Sequence, residues 1–412
     1  MNASPLSCTK SAKTSFGEAL SIIADNCAPM PHRRIKVRDA LGEIVARHVT
    51  ARSDFPRFDT AAMDGFAVKS ADCTEASATA PVGLKLLPPA HAGTSHAVYA
   101  TDTALPISTG TPVPSGYDSL LVKEQARVIL DTLHVINPIE RGRNIRLRGE
   151  DGSVGDTIVK AGDVIRPATI GALLSLGVEE VETKQKPRFI ILPTGDELQD
   201  DCSASARVYD SNGPMIAASL RHAGIEGRLL PPAPDDEDLL RKSIADLIAI
   251  EDADIVMTTG GVSAGTRDII PRLIEEQGGI IHFHGVAMRP GKPVLFATLA
   301  DGRPFFGLPG NPVASLVGSR FFVQHAVRTM LGLGREIGEH AEPIGSVRPG
   351  ITNFLKISRE THGANATTIE ILPGQQSHRL RPLLMANAWM CTSADLSGQL
   401  TSEIFDLYGS IV

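Results

Sequence analysis

Arg188-Phe189-Ile190-Ile191-Leu192-Pro193-Thr194-Gly195-Asp196-Glu197 is a short apolar run that breaks at a Pro-Thr-Gly turn and ends on two carboxylates. An unbroken apolar run bounded by turn residues is the pattern of a strand covered on both faces. The pattern returns twice. Ala253-Asp254-Ile255-Val256-Met257 leads into Thr258-Thr259-Gly260-Gly261-Val262-Ser263-Ala264-Gly265, and Phe305-Phe306 leads into Leu308-Pro309-Gly310-Asn311-Pro312. Val294-Leu295-Phe296 adds another short strand. Helical periods lie between and after these runs. One covers Pro214 to His222, with Asn212 or Ser211 as cap and Gly224 closing it. Another covers Leu239 to Ile250, opened by Asp235 and Asp236. A third begins at Pro271 and reaches Glu276, and a long one runs from Pro312 to about Leu331. Strands alternating with helices predict a central doubly wound, mostly parallel α/β sheet domain over 186–332, with helices on both faces.

Outward from that centre the texture changes. Residues 340–412 carry many turn signals and no long amphipathic period, which predicts a small C-terminal β domain. Residues 63–144 alternate short β-like runs, such as Ser119–Lys123 and Leu130–Ile136, with Gly, Pro and Asp, and read as an inserted β-rich N-terminal module. The flanking stretches 15–62 and 145–185 form a discontinuous linking domain, and the Ser-, Thr- and Lys-rich residues 1–14 a disordered tail. The expected fold is therefore multidomain α/β and β. A net charge of -7 argues against non-specific nucleic-acid binding. The cysteines, Cys8, Cys27, Cys73, Cys202 and Cys391, are odd in number and form no C-x-x-C pair, so a reducing compartment fits better than a disulfide framework. With no signal-peptide stretch and no membrane-length apolar run, the expectation is a cytoplasmic protein with neither nucleic acid nor membrane as partner.

In a parallel sheet the carboxyl ends of the strands share one edge, and ligands bind in the crevice there. The three loops above should converge at that edge. Gly260, Gly261 and Ser263 let backbone amides approach a phosphate, and Asn311 and Pro312 shape a helix N-terminus suited to an anion. The alternative is that these glycines are simply turns and Asn311 simply a cap. Arg289-Pro290-Gly291-Lys292-Pro293 is not a Walker loop, because Pro293 stands where a Ser or Thr would bind magnesium. It places two cations beside the crevice, or else two solvated surface charges. Asp64, Asp151, Asp196, Glu197, Asp235, Asp236 and Asp268 sit in apparent loops. There they could be bridged to a phosphate by a hard cation, or serve as caps and turn formers. Arg143, Arg146 and Arg148 beside Glu150-Asp151 read as a solvated ion-pair network, and the His282–His284 pair as structural. No G-x-S-x-G or H-E-x-x-H signature occurs.

Seven stretches in order over about 250 residues resemble the molybdopterin molybdenumtransferase (MoeA) family. They are Ala62-Met63-Asp64-Gly65-Phe66-Ala67-Val68, Thr109-Gly110-Thr111-Pro112-Val113-Pro114, Asn144-Ile145-Arg146 with Arg148-Gly149-Glu150-Asp151, Thr194-Gly195-Asp196-Glu197-Leu198, Gly260-Gly261-Val262-Ser263-Ala264-Gly265 with Asp268, Pro290-Gly291-Lys292-Pro293, and Gly307-Leu308-Pro309-Gly310-Asn311-Pro312-Val313. The resemblance implies insertion of molybdenum from molybdate into adenylylated molybdopterin, with release of AMP and a requirement for Mg2+. It implies an elongated homodimer, with molybdopterin adenylyltransferase and molybdoenzyme maturation proteins as further partners. The positions matching the family's functional residues are Asp64, Thr109, Asp151, Glu197, Asp235, Asp268, Arg289, Lys292 and Ser377. On this view Asp64, Asp151, Glu197, Asp268 and Lys292 are catalytic, Asp64 and Asp151 acting from the second subunit. Thr109, Thr194, Gly260, Gly261, Ser263, Asp235, Pro309 and Asn311 bind substrate. Arg289, Lys292, Lys356 and Ser377 bind molybdate, and Glu197 and Asp268 hold the metal.

Three positions depart from the family pattern. Arg289 stands where Lys is usual, a planar fork in place of a point charge. Phe354-Leu355-Lys356 replaces an aromatic-x-Arg, and Gln375-Gln376-Ser377 replaces Gln-Gly-Ser. Two rival readings follow: a molybdopterin adenylyltransferase, which a Thr-Gly-Gly-Thr-Gly loop would mark and which would consume ATP, and a non-catalytic molybdopterin-binding or scaffold paralogue.

Overall fold

The computed structural model describes residues 14–90, 99–199, 208–262, 269–344, 347–362, 366–395 and 397–411. The tail expected at 1–14 lies outside them apart from Thr14. The chain divides into two compact units, residues 33–183 and residues 1–32 with 184–412.

In the first unit, strands β1 (Gly65–Val68), β2 (Val82–Leu86), β3 (Thr103–Ile107), β4 (Ser119–Val122), β5 (Arg127–Ile129) and β6 (Thr132–Val135) form one sheet in the order β4-β1-β3-β2-β6-β5. Adjacent residues part to opposite faces. Ala67 and Leu105 join one apolar cluster with Leu120, while Val68 and Ala104 join another with Leu84 and Leu133. This is the two-residue period of a strand, here buried on both sides. A third cluster, Val37, Val45, Ile165, Leu173 and Val181, packs the linking segment around the helix Pro167–Ser175.

In the second unit the helix Phe16–Asp25 opens on a capping box between Ser15 and Glu18. It buries Phe16 against Phe321, Phe322 and Phe354. The central sheet contains β7 (Phe189–Pro193), β8 (Gly227–Leu229), β9 (Ile255–Thr259), β10 (Ile280–His284), β12 (Leu295–Thr298) and β13 (Pro304–Leu308), in the order β8-β7-β9-β13-β12-β10. The first four are parallel. The last two pairings, β13 with β12 and β12 with β10, are antiparallel, so β12 alone runs against the others, because the chain between Ile280 and Leu308 contains no helix to carry a crossover. A tight turn at Asp301-Gly302 joins β12 to β13 instead. The apolar face is filled by Ile190, Leu240, Ile244, Val256, Leu273, Ile274, Leu295 and Phe305.

Helix starts follow expectation in part. The helix Asn212–His222 is not capped by the side chain of Ser211 or Asn212. The amides of Asn212 and Gly213 donate to the carboxylate of Asp210. The helix Glu237–Ile248 is capped by Asp236 alone, since the amide of Asp235 turns back to donate to Asp196 Oδ1 at 2.9 Å. Asn311 occupies the cap position of the helix Pro312–Gly318, but its side chain makes no capping bond. That helix continues through a π segment, Ser319–Val323, into Gln324–Met330.

The two-residue strand β11 (Met288–Arg289) leaves the central sheet and pairs in parallel with β15 (Thr352–His362). The C-terminal sheet is ordered β11-β15-β17-β18-β14, where β14 is Glu339–Ala341, β17 Ala388–Ala394 and β18 Leu400–Asp406, with β16 (Ala366–Ile371) also on β15. Behind it Arg320, only 1% exposed, meets Glu336 through both guanidinium nitrogens at 2.7 Å and donates to the Asp406 carbonyl.

Candidate functional site

Strands β7, β9 and β13 are neighbours, so their three following loops do converge. Thr194 N donates to Thr259 O at 2.8 Å, Gly260 N donates to Leu308 O at 3.0 Å, and Asn212 Nδ2 donates to Gly310 O at 2.6 Å. From β7 the chain crosses outward to β8 and then back to β9 on the other side. The switch point therefore falls between Thr194 and Gly260, where the opposed connections leave a crevice. Glycine is required there. Gly260 has φ +90°, and a Cβ on it would lie 2.5 Å from the Thr194 carbonyl oxygen.

Of the residues expected at this edge, Thr194 is buried and its hydroxyl donates to Thr259 O, so it holds the loop rather than facing solvent. Glu197 is exposed, its carboxylate lying over Gly195. Gly261 sits at φ +66°, closed off by Ile270. Ser263 and Asp268 lie outside the described residues. Among the described residues no group of three or more His, Cys, Asp and Glu side chains converges. The oxygen donors present at the edge are carboxylates of Asp196, Glu197 and Asp235. They suit a cation that keeps most of its water and bridges one or two carboxylates to a phosphate.

The Leu308–Pro312 loop connects this edge to a cavity of about 950 Å³. One wall is Met288 to Pro293, another Pro309, Asn311 and Ala314, and a third comes from the C-terminal sheet through Arg348, Asn353, Gln376, Ser377 and His378. Arg289, Lys292, Pro309, Asn311 and Ser377, scattered over 89 positions of sequence, thus line one space. Val313 N donates to Ser377 O at 3.0 Å, fixing the third wall against the helix start. No carboxylate is among the lining residues. Among the described residues, Arg289, Lys292 and Arg348 are exposed and make no ion pair. A concave site with cations and no anion is electropositive even on an acidic chain.

Lys356 does not join them. It is 0% exposed, and its Nζ donates to the carbonyls of Gly374 at 2.8 Å and of Gln376 and Arg379 at 3.4 Å. Burial lowers its pKa. Strand alternation explains the misplacement: Lys356 shares the inward face of Phe354, whereas Asn353 faces the cavity. Arg348, Asn353 and His378 were not singled out in the sequence. They carry no motif; the Arg289–Asn353 register brings in Arg348 and Asn353, and the Val313–Ser377 bond brings in His378.

In the other unit, Thr109 donates through N and Oγ1 to Asp64 Oδ1 at 2.7 and 2.8 Å. These bonds, the amide's foremost, hold the carboxyl below the usual Asp range. Asp151 pairs with Arg146, as the ion-pair reading expected, whereas Arg148 pairs with Asp54, which that reading did not include. His282 and His284 are structural, bonded to Thr298 Oγ1 and Val262 O.

Residues 14–177 match the family described as MoeA N-terminal region (domain I and II), and residues 190–329 the family described as Probable molybdopterin binding domain. A Staphylococcus aureus (strain MRSA252) protein named Molybdopterin molybdenumtransferase is 36% identical over 318 residues, 76% of this chain and 75% of that one. One of the same name from Staphylococcus epidermidis (strain ATCC 12228 / FDA PCI 1200) is 32% identical over 331 residues, 79% of this chain and 78% of that one. The solved structure of a molybdopterin biosynthesis moeA protein from Pyrococcus horikoshii OT3 superposes with a TM-score of 0.76 at 25% identity, covering 95% of this chain and 100% of that one.

Proposed function

The chain belongs to the molybdopterin molybdenumtransferase family and is a transferase of molybdenum cofactor biosynthesis, and we propose that it takes adenylylated molybdopterin at the β7–β9–β13 edge and molybdate in the adjoining cavity. The reaction forms two Mo–S bonds at the pterin dithiolene as two molybdate oxygens leave, one as water with the thiol protons and one to phosphorus in cleaving the pyrophosphate link, which releases AMP. The observation that carries this reading is the continuity of the two sites. A crevice built from backbone amides and glycine opens, through Leu308–Pro312, into a cavity whose cations have no counter-charge among the described residues.

Each group has a role in that reading. The convergent loops position the phosphates, and Asn311 and Pro309 orient the pterin end toward the cavity. Arg289 and Lys292, with Ser377 opposite, hold the oxyanion and offset the charge that builds on the pyrophosphate oxygens. Glu197, with Asp268, would hold Mg2+, which when bound neutralises phosphate charge. Asp64, Thr109 and Asp151 act on the substrate from the second protomer of a homodimer working in the cytoplasm.

The test is anaerobic incubation of the protein with adenylylated molybdopterin, molybdate and Mg2+, following AMP. Molybdate-dependent release, lost in Glu197→Ala, is the expected result. Tight nucleotide binding with no AMP released at any molybdate concentration would sink the reading and leave a binding paralogue.

A further inference from the structure

We infer that Arg348 is the cation that residues 340–412 bring to the oxyanion, while Lys356 is a positioning residue that shapes the loop behind it. The inference rests on the reading of the cavity as the oxyanion site. An ammonium has three protons, and the three carbonyls that Lys356 faces all belong to the 374–379 loop. Turning it into the cavity would strip those carbonyls of their donor and require the strand to present its opposite face. Lys356 therefore sets where Gln376, Ser377 and His378 stand.

Arg348 has the complementary circumstances. It lies in a turn pinned by Ile351 N to Arg348 O at 3.1 Å and Gly350 N to Ala394 O at 2.9 Å. The parallel ladder that sets Arg289 beside Asn353 brings this turn to the cavity wall. Its guanidinium is exposed and has no partner among the described residues. A planar fork presents two parallel donors to the edge of a tetrahedral oxyanion, which an ammonium cannot do. Arg348, from the turn before β15, and Arg289, on β11, then both face the anion, with Lys292 as the third cation.

The experiment is calorimetric titration of the full chain with molybdate, using Arg348→Gln, Arg348→Lys, Lys356→Met and Lys292→Gln, each with its melting temperature. Arg348→Gln should weaken binding roughly tenfold or more, the effect of losing one charge-assisted hydrogen bond, without moving the melting temperature. Arg348→Lys should recover part of the loss. Lys356→Met should weaken binding and also melt earlier, with faster tryptic cleavage after Arg379. Parental affinity in Arg348→Gln, alongside weak binding in Lys292→Gln, would overturn the inference and leave the cavity reading standing. So would Lys356→Met losing affinity with unchanged melting and cleavage, which would make Lys356 the ligand. Parental affinity in Lys292→Gln, or no binding by the parent, would remove the cavity reading and the inference with it.

Discussion

Charge is handled in opposite ways in the two compact units. In residues 33–183 the carboxylates at and beside the motif positions are already engaged: Asp64 by Thr109, Asp151 by Arg146, and Asp54, outside the motifs, by Arg148. Around the cavity of the other unit, Arg289, Lys292 and Arg348 have no counter-charge among the described residues. An engaged carboxylate is oriented before anything binds, and its remaining oxygen is aimed. An unpaired cation in a concavity gains its partner only from a ligand. The first arrangement supplies geometry and the second affinity for anions.

The largest expected effect breaks that contrast at its charged end. Lys292→Ala should lower kcat/KM for molybdate by roughly 10²–10³, the scale of removing one pre-aligned stabilising donor, with little change in melting temperature because Lys292 is exposed and supports nothing else. Steady-state AMP release at varied molybdate measures it. Next is the frame on which the charges rest. Gly260→Ala should destabilise the protein by about 1–3 kcal/mol, since alanine at positive φ is strained and its Cβ would press on the Thr194 carbonyl. A denaturant midpoint that does not move would mean the loop relaxes freely. A smaller effect sharpens the comparison: KM for molybdate should rise several-fold between about 0.05 and 0.5 M salt, because exposed cations are screened over such distances. A flat profile would place the oxyanion elsewhere.

The smallest effect lies at Asp64. Its folded pKa is depressed, so what the Thr109 bonds contribute is whole at neutral pH, above the unfolded value, and is lost only as pH falls through the depressed one. A carboxyl ¹³C titration should find its midpoint below the ordinary Asp range, moving back toward it in Thr109→Val. A normal midpoint in the parent would show that Asp64 is not engaged in solution.

Much of this could be read in the sequence where chemistry and chain order coincide. β7, β9 and β13 each end in a glycine or proline turn, and their adjacency follows from the rules of parallel sheets, so the convergence of Thr194, Gly260 and Leu308 was legible. Arg289 and Lys292 were legible for the same reason, since two cations flank a Pro-Gly turn. What could not be read is pairing between distant strands. β11 is two residues long and pairs with β15 some 60 positions later, a contact that no local period announces. For that reason Arg348 and Asn353 escaped notice. Lys356, matched to the molybdate contacts by its place in a motif, lies on the inward face of its strand. Helix caps were legible only in part. Asp, Ser and Asn compete for each start, and Asp210 and Asp236 prevailed through geometry that spacing does not encode.

The β11 strand also has a mechanical consequence. Its neighbours along the chain, β10 and β12, are fixed in the central sheet, while β11 itself is laddered into the C-terminal sheet. A hinge that swung those two sheets apart would have to tear this stitch, together with the Ala287 carbonyl's bond to Thr352 N. The wall that can yield without breaking a ladder is the 374–379 loop suspended from Lys356, so any breathing of the cavity is local, set by one ammonium and three carbonyls.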